Sequence, residues 1–189
     1  MPENKYYNDK RTAKSRVRWI AQTGIFLALL VVAQLVTRPF GNSILTGSVN
    51  NMLFVLAVMF CGLSSAAVLG VISPIIAFLM GMAPFLPFVP VIIVGNLALV
   101  ALWYLIALRK GSGSLPLNIA ALVISAVVKF LILYFGIVRF VVPLVLGLAE
   151  PQASVVSAAF SWPQLVTATI GGVLALLLFR ALSKALPKR

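Results

Sequence analysis

Lys129 lies inside an apolar run, Leu117 to Val138, whose composition suits the hydrocarbon of a bilayer. An ammonium group at that depth costs about 3 kcal/mol or more, and such residues tend to mark binding or transport sites. The chain has three acidic residues, Glu3, Asp9 and Glu150, and none of them falls within an apolar run. With no carboxylate at its level, the first partner to expect for Lys129 is a bound anion.

Other polar side chains recur at a similar depth. Asn96 sits roughly nine residues, or about 13 Å at 1.5 Å per residue, from the outer start of its helix. Lys129 is about as far from the outer end of its own. Gln164, Thr167 and Gly171 follow i, i+3, i+7 spacing and share one helix face. Gln34, Arg38, Asn42, Asn50 and Asn51 approach from the other side of the same mouth, and Arg139 adds a further cation. Trp162, Tyr134 and Trp103 offer aromatic surface for the body of a ligand. The polar content is concentrated in the outer half of the chain's apolar segments, which points to an outward-facing pocket and not a pore. The expected substrate-binding set is Lys129, Asn96, Arg38, Asn50, Gln164, Thr167, Arg139, Trp162 and Tyr134.

Each member has a second reading. Asn96, Gln164 and Thr167 fit interhelical hydrogen bonding. Arg38 and Arg139 fit headgroup anchors, and Trp162 and Tyr134 an aromatic belt. For Lys129 the alternatives are snorkelling or a backbone carbonyl partner.

The elements that must position these residues follow from composition. Of 189 residues, 62% are hydrophobic and 10% charged, with a mean hydropathy of +1.12. No soluble domain of this size hides so much apolar surface, so the chain reads as an all-α membrane protein. Its net charge of +12 is carried by residues clustered at both ends and at Arg109-Lys110. That pattern sets orientation in a membrane and does not indicate nucleic-acid binding.

Six transmembrane helices are expected, at about 19–37, 49–61, 63–82, 87–108, 117–138 and 161–182. They form one domain, 19–183, between a basic cytoplasmic segment, 1–18, and a basic tail, 184–189. A polar hinge from Thr37 to Asn51 and a long loop from Arg139 to Ser157 interrupt them. Pro74 kinks the third helix, and Pro90 sits in the first turn of the fourth. Ser161-Trp162-Pro163 opens the sixth. An even number of crossings puts all three basic clusters on one side, so both termini are cytoplasmic. A competing register places helix five at Phe130 to Leu148, which buries Arg139 and moves Lys129 to the helix edge. The first apolar stretch reads as an uncleaved helix, because Val36-Thr37-Arg38-Pro39 is not a small-x-small cleavage site.

The missing residue types exclude much chemistry. With no histidine, His-dependent triads and metal sites are ruled out. The single Cys61 cannot form an internal disulfide. No Gly-x-x-x-x-Gly-Lys-Ser/Thr loop is present, so the chain carries no nucleotide site of that type. No enzyme activity, cofactor or metal is expected.

Gly24-x-x-x-Ala28 on the first helix forms a small-residue patch, and Gly62, Ala66 and Gly70 repeat that spacing on the third. Together with Thr46-Gly-Ser-Val-Asn-Asn and the stretch from Ser73-Pro74 through Pro90 to Gly95-Asn96, the whole chain resembles the S component of an energy-coupling factor (ECF) transporter. The resemblance implies a substrate-binding subunit of the bacterial cytoplasmic membrane that captures a vitamin or related micronutrient from outside. It implies as partners a transmembrane coupling subunit, docked through Gly24 and Ala28, and two ATPase subunits. The family often has Ala where this chain has Gly24. The resemblance further implies that the subunit topples in the lipid bilayer to deliver its substrate, here expected to be anionic. The rival classes are a non-transport assembly subunit and a stand-alone carrier. The lack of intramembrane carboxylates disfavours an ion-driven carrier.

Overall fold

A computed structural model describes residues 3–41, 43–83, 85–109 and 114–185, with side chains described from Ser15 onward. Asn42, Lys110 with the Gly-Ser residues to 113, and Lys188 and Arg189 of the basic tail lie outside the described residues. So do the side chains of Lys5, Lys10, Arg11 and Lys14. The described residues are mostly helical, with short turns between helices and no strand among them.

Helix α1 spans Glu3–Thr37 and passes through a 3-10 turn, Arg38–Phe40, toward α2, Ser43–Cys61. Helix α3 is Leu63–Leu79. Helix α4, Phe88–Trp103, continues as a π-helix over Tyr104–Leu108, and α5, Leu115–Leu133, continues as a π-helix over Tyr134–Leu146. A short α6, Gln152–Ala159, precedes α7, Trp162–Ala185. Five stretches are long and apolar enough to cross a membrane: Ser15–Phe40, Ser43–Cys61, Phe88–Leu108, Leu115–Leu146 and Gln152–Lys184. Helix α3 is apolar but shorter, at 17 residues. The protein is therefore an all-α chain of multi-pass membrane type. Its long helices turn large apolar side chains outward, among them Ile20, Val32, Phe135 and Leu177, as a protein embedded in lipid must.

Four features differ from the sequence expectations. Helix α2 starts at Ser43, not near residue 49, so most of the expected polar hinge is helical. The turn is made earlier, at Gly41, whose φ of 59° suits glycine. The polar residues that suggested a hinge are instead paired with other helices: Thr46 Oγ1 donates to Thr37 Oγ1 at 2.8 Å, and Asn51 reaches Thr167. Helix α5 runs on to Leu146, so the first register considered for helix five, and all but the last two residues of the second, are parts of one 32-residue apolar stretch. Lys129 falls near its midpoint. The expected loop from Arg139 to Ser157 is largely helical, turning at Gly147 (φ 55°) before α6. Finally, residues 3–18 of the basic segment are helical and continuous with α1.

The helices alternate in direction. Trp19 Nε1 donates to Ser64 Oγ at 3.0 Å, Thr23 bonds Ser65 at 2.8 Å and Gln34 bonds Ser73, so α1 and α3 run the same way. Gly62, at φ 88°, reverses the chain between α2 and α3. Helix α7 runs with α2, from the Thr167–Asn51 contact to the Phe60–Phe179 ring pair at 4.8 Å. Arg16, Arg18, Arg109, Arg180 and Lys184 consequently gather toward one end of the bundle, while Arg38, Arg139 and Glu150 lie toward the other.

Helix α2 is the central element, packed against α1, α3, α4 and most extensively α7. Its Phe54, Val55 and Val58 join Leu69, Leu99 and Trp103 in the main core. A smaller cluster of Phe88, Leu133, Ile137, Val141 and Val142 sits at the end near α6.

Candidate functional site: a polar cavity around Lys129

Pro74 begins the site. It lies inside α3 and has no N–H, so the carbonyl of Gly70, four residues back, is left without its helical donor. Asn96 of α4 supplies one: its Nδ2 donates to Gly70 O at 3.1 Å. The approach is close because residue 70 is glycine; a Cβ there would stand 3.3 Å from Asn96 Cβ. The bond also orients the amide. With Nδ2 committed to a carbonyl, Asn96 Oδ1 faces away and accepts from Lys129 Nζ at 2.8 Å.

Helices α2 and α7 build the other half. Lys129 Nζ donates to Asn51 Oδ1 at 2.5 Å. Asn51 Nδ2 donates to Thr167 Oγ1 at 3.4 Å, and Thr167 Oγ1 donates to Gln164 O at 3.0 Å. Gly171 lets α7 lie against α2 here, since a Cβ would meet Ser48 O at 2.6 Å and Asn51 Cβ at 2.7 Å. Two donor chains therefore start at one ammonium group and end on main-chain carbonyls, at Gly70 and at Gln164. Lys129 is 4% exposed, and the Phe54 ring lies under it with its centroid 5.6 Å from Nζ. Glu150, the one described acidic side chain, is exposed at the α5–α6 turn. The charge is thus met by amide dipoles and an aromatic face, with no carboxylate beside it among the described residues.

These residues border a cavity of about 130 Å³. Gln34 of α1, Asn50 and Asn51 of α2, Ser73 of α3, Asn96 of α4, Lys129 of α5 and Gln164 of α7 contribute its polar lining. Phe54, Pro74, Ala77, Ile92, Leu133 and Phe160 contribute the apolar part. Gln34 is wholly buried; its Nε2 donates to Ser73 Oγ at 2.9 Å and to Ser73 O at 3.3 Å.

Of the expected site residues, Lys129, Asn96, Asn50 and Gln164 come together on the cavity, and Thr167 stands directly behind it as the support of Asn51. Four others lie apart from it. Arg38 is exposed, with its guanidinium beside Gly81. Arg139 is exposed, 5.4 Å from the centroid of the Tyr134 ring, and both sit on the π-helical extension of α5. Trp162 is 62% exposed at the start of α7. The deeper cation is Lys129, not Arg139.

Asn51, Gln34 and Ser73 matter more than sequence reading allowed. Asn51 was legible through helical phase, because Asn51, Phe54, Val55 and Val58 share the buried face of α2 once that helix starts at Ser43. Pro74 was a signal for Asn96, because it frees a carbonyl that needs a donor.

The fold and site define an all-α protein of membrane type with a buried cationic cavity. Comparison with protein-family models, with curated proteins and with solved structures finds no match to this chain.

Proposed function

We propose that this protein captures a small anionic molecule at the Lys129 cavity and serves as the substrate-binding subunit of an ECF-type uptake system. The observation that carries the reading is a buried ammonium group on a cavity wall with no carboxylate beside it among the described residues. Two neutral amides lower the cost of burying the charge but leave it unneutralised, so an anion in the cavity gains the full attraction. The ECF assignment draws on the sequence resemblance and is compatible with the alternating apolar helices and the exposed Gly24 and Ala28. In this reading α1 to α5 and α7 are six crossings with both termini in the bacterial cytoplasm, and α6 covers the outer mouth. Arg16, Arg18, Arg109 and Lys184 at one end accord with that orientation. ATP hydrolysis belongs to partner subunits, and the transported molecule is a vitamin-like micronutrient.

One observation favours a second reading. Lys129 already has two hydrogen-bond acceptors, so the network also suits a fastening between helices in an assembly subunit. Native mass spectrometry of protein released from detergent separates the two. The capture reading expects a retained small anion on the wild type that Lys129→Met loses. Identical lipid-only spectra for both would leave the fastening reading standing. Purification from native membranes without any ATPase subunit would remove the ECF part alone.

A further inference from the structure

The cavity holds acceptors as well as a cation. Gln34 Oε1 and Asn50 Oδ1 are buried atoms of cavity-lining residues and have no hydrogen-bond partner among the described residues. The Gln34 assignment is secured by its neighbour. Ser73 O is a carbonyl and can only accept, so the nitrogen of the Gln34 amide must face it and the oxygen must face elsewhere. Gln34 is 0% exposed, so bulk water does not satisfy that oxygen. Unpaired buried acceptors in cavity-lining residues are rare enough to require a reason.

Lys129 has the opposite need. Its ammonium group has three N–H bonds, of which Asn51 and Asn96 take two. One donor and the positive charge remain. A plain carboxylate or fully ionised phosphate answers Lys129 but brings no donor to Gln34 and Asn50. A neutral amide or urea answers the acceptors but not the charge.

Resting on the capture reading above, we infer that the ligand is two-ended: an anionic group for Lys129 joined to an N–H-bearing group, of the urea or lactam kind, for Gln34 Oε1 and Asn50 Oδ1. Phe54, Ile92, Leu133 and Phe160 supply the apolar wall for a short hydrocarbon spacer between the two ends. Discrimination then comes from both ends, because an analogue that lacks either group leaves a buried polar atom unpaired.

Calorimetric titration of the purified full chain in detergent tests this with three homologous probe series: ω-ureidoalkanoates, the matching alkanoates, and the matching alkylureas. The expected result is that the best ω-ureidoalkanoate binds about tenfold more tightly than either matching probe. Gln34→Met should erase its advantage over the alkanoate, and Lys129→Met its advantage over the alkylurea. Gln34 also holds Ser73, so Asn50→Leu serves as a second variant that leaves the Gln34–Ser73 bonds in place; it should narrow the same advantage. If alkanoates bind as tightly as ureidoalkanoates, the two-ended ligand is wrong while anion capture stands. If alkylureas bind equally well and Lys129→Met changes nothing, anion capture itself is wrong. Binding by none of the series overturns both.

Discussion

Asn96 Nδ2 donates at 3.1 Å to the carbonyl of Gly70, an acceptor that Pro74 leaves unused in its own helix. A proline in α3 thereby sets the orientation of an amide in α4, and the far side of that amide faces the ammonium group of α5. The consequence is testable at Pro74. Pro74→Ala restores a helical N–H that competes with Asn96 for Gly70 O. Thermal stability should hold or rise, while affinity for the best ureidoalkanoate falls about tenfold, as expected when one charge-assisted hydrogen bond is lost. Unchanged affinity would mean that Asn96 is held by other means.

The buried pair can be separated energetically from the ligand. Asn96→Leu removes an acceptor from a buried cation and should cost about 1.5–3 kcal/mol of stability. Adding Lys129→Met to that variant should recover much of the loss, because two apolar groups then face each other. Denaturant unfolding in detergent of both single variants and the double variant gives the coupling. Additive losses would show that Asn96 does not stabilise the charge.

Glycines at two positions should behave oppositely. A Cβ at Gly171 would meet Ser48 O and Asn51 Cβ at 2.6 and 2.7 Å, whereas nothing lies within 4 Å at Gly24. Gly171→Ala should therefore destabilise by about 1–3 kcal/mol and weaken probe binding, as α7 moves off α2 and Thr167 leaves Asn51. Gly24→Ala should be neutral or stabilise by up to about 1 kcal/mol. Melting temperatures of the two purified variants decide the matter.

Arg139 and Arg38 are exposed and stand outside the cavity lining. Arg139→Ala and Arg38→Ala should change stability by no more than about 0.5 kcal/mol and leave probe affinity as in the wild type. A loss at Arg139 comparable with that at Lys129 would return the buried role to Arg139.

Orientation in the membrane can be read with thiol chemistry. In a Cys61→Ala background, Phe40→Cys and Lys184→Cys place one exposed thiol toward each end of the bundle. A membrane-impermeant maleimide added to intact cells should label Phe40→Cys and leave Lys184→Cys unlabelled until the cells are opened. The reverse pattern would invert the proposed topology.

Much of this protein was legible in its composition. Apolar runs of about twenty residues specify helices of membrane length, because a bilayer leaves backbone groups only one another as partners. An ammonium group among those runs, with no acid to match, marked Lys129 without any coordinates. Other matters were not local. Polar composition from Thr37 to Asn51 suggested a hinge, yet these residues are mostly helical because Thr46 and Asn51 find partners on α1 and α7. Depth along a helix placed Asn96 level with Lys129, but gave no direction for either side chain. Arg38, Arg139 and Trp162 had the right residue types and lie apart from the cavity, since one-dimensional depth carries no information on which helix face turns inward. Lys129, its burial and its missing carboxylate were thus set by the order of residues. Which amides meet it, and which acceptors stay open in Gln34 and Asn50, depended on how six helices from distant parts of the chain pack around one cavity.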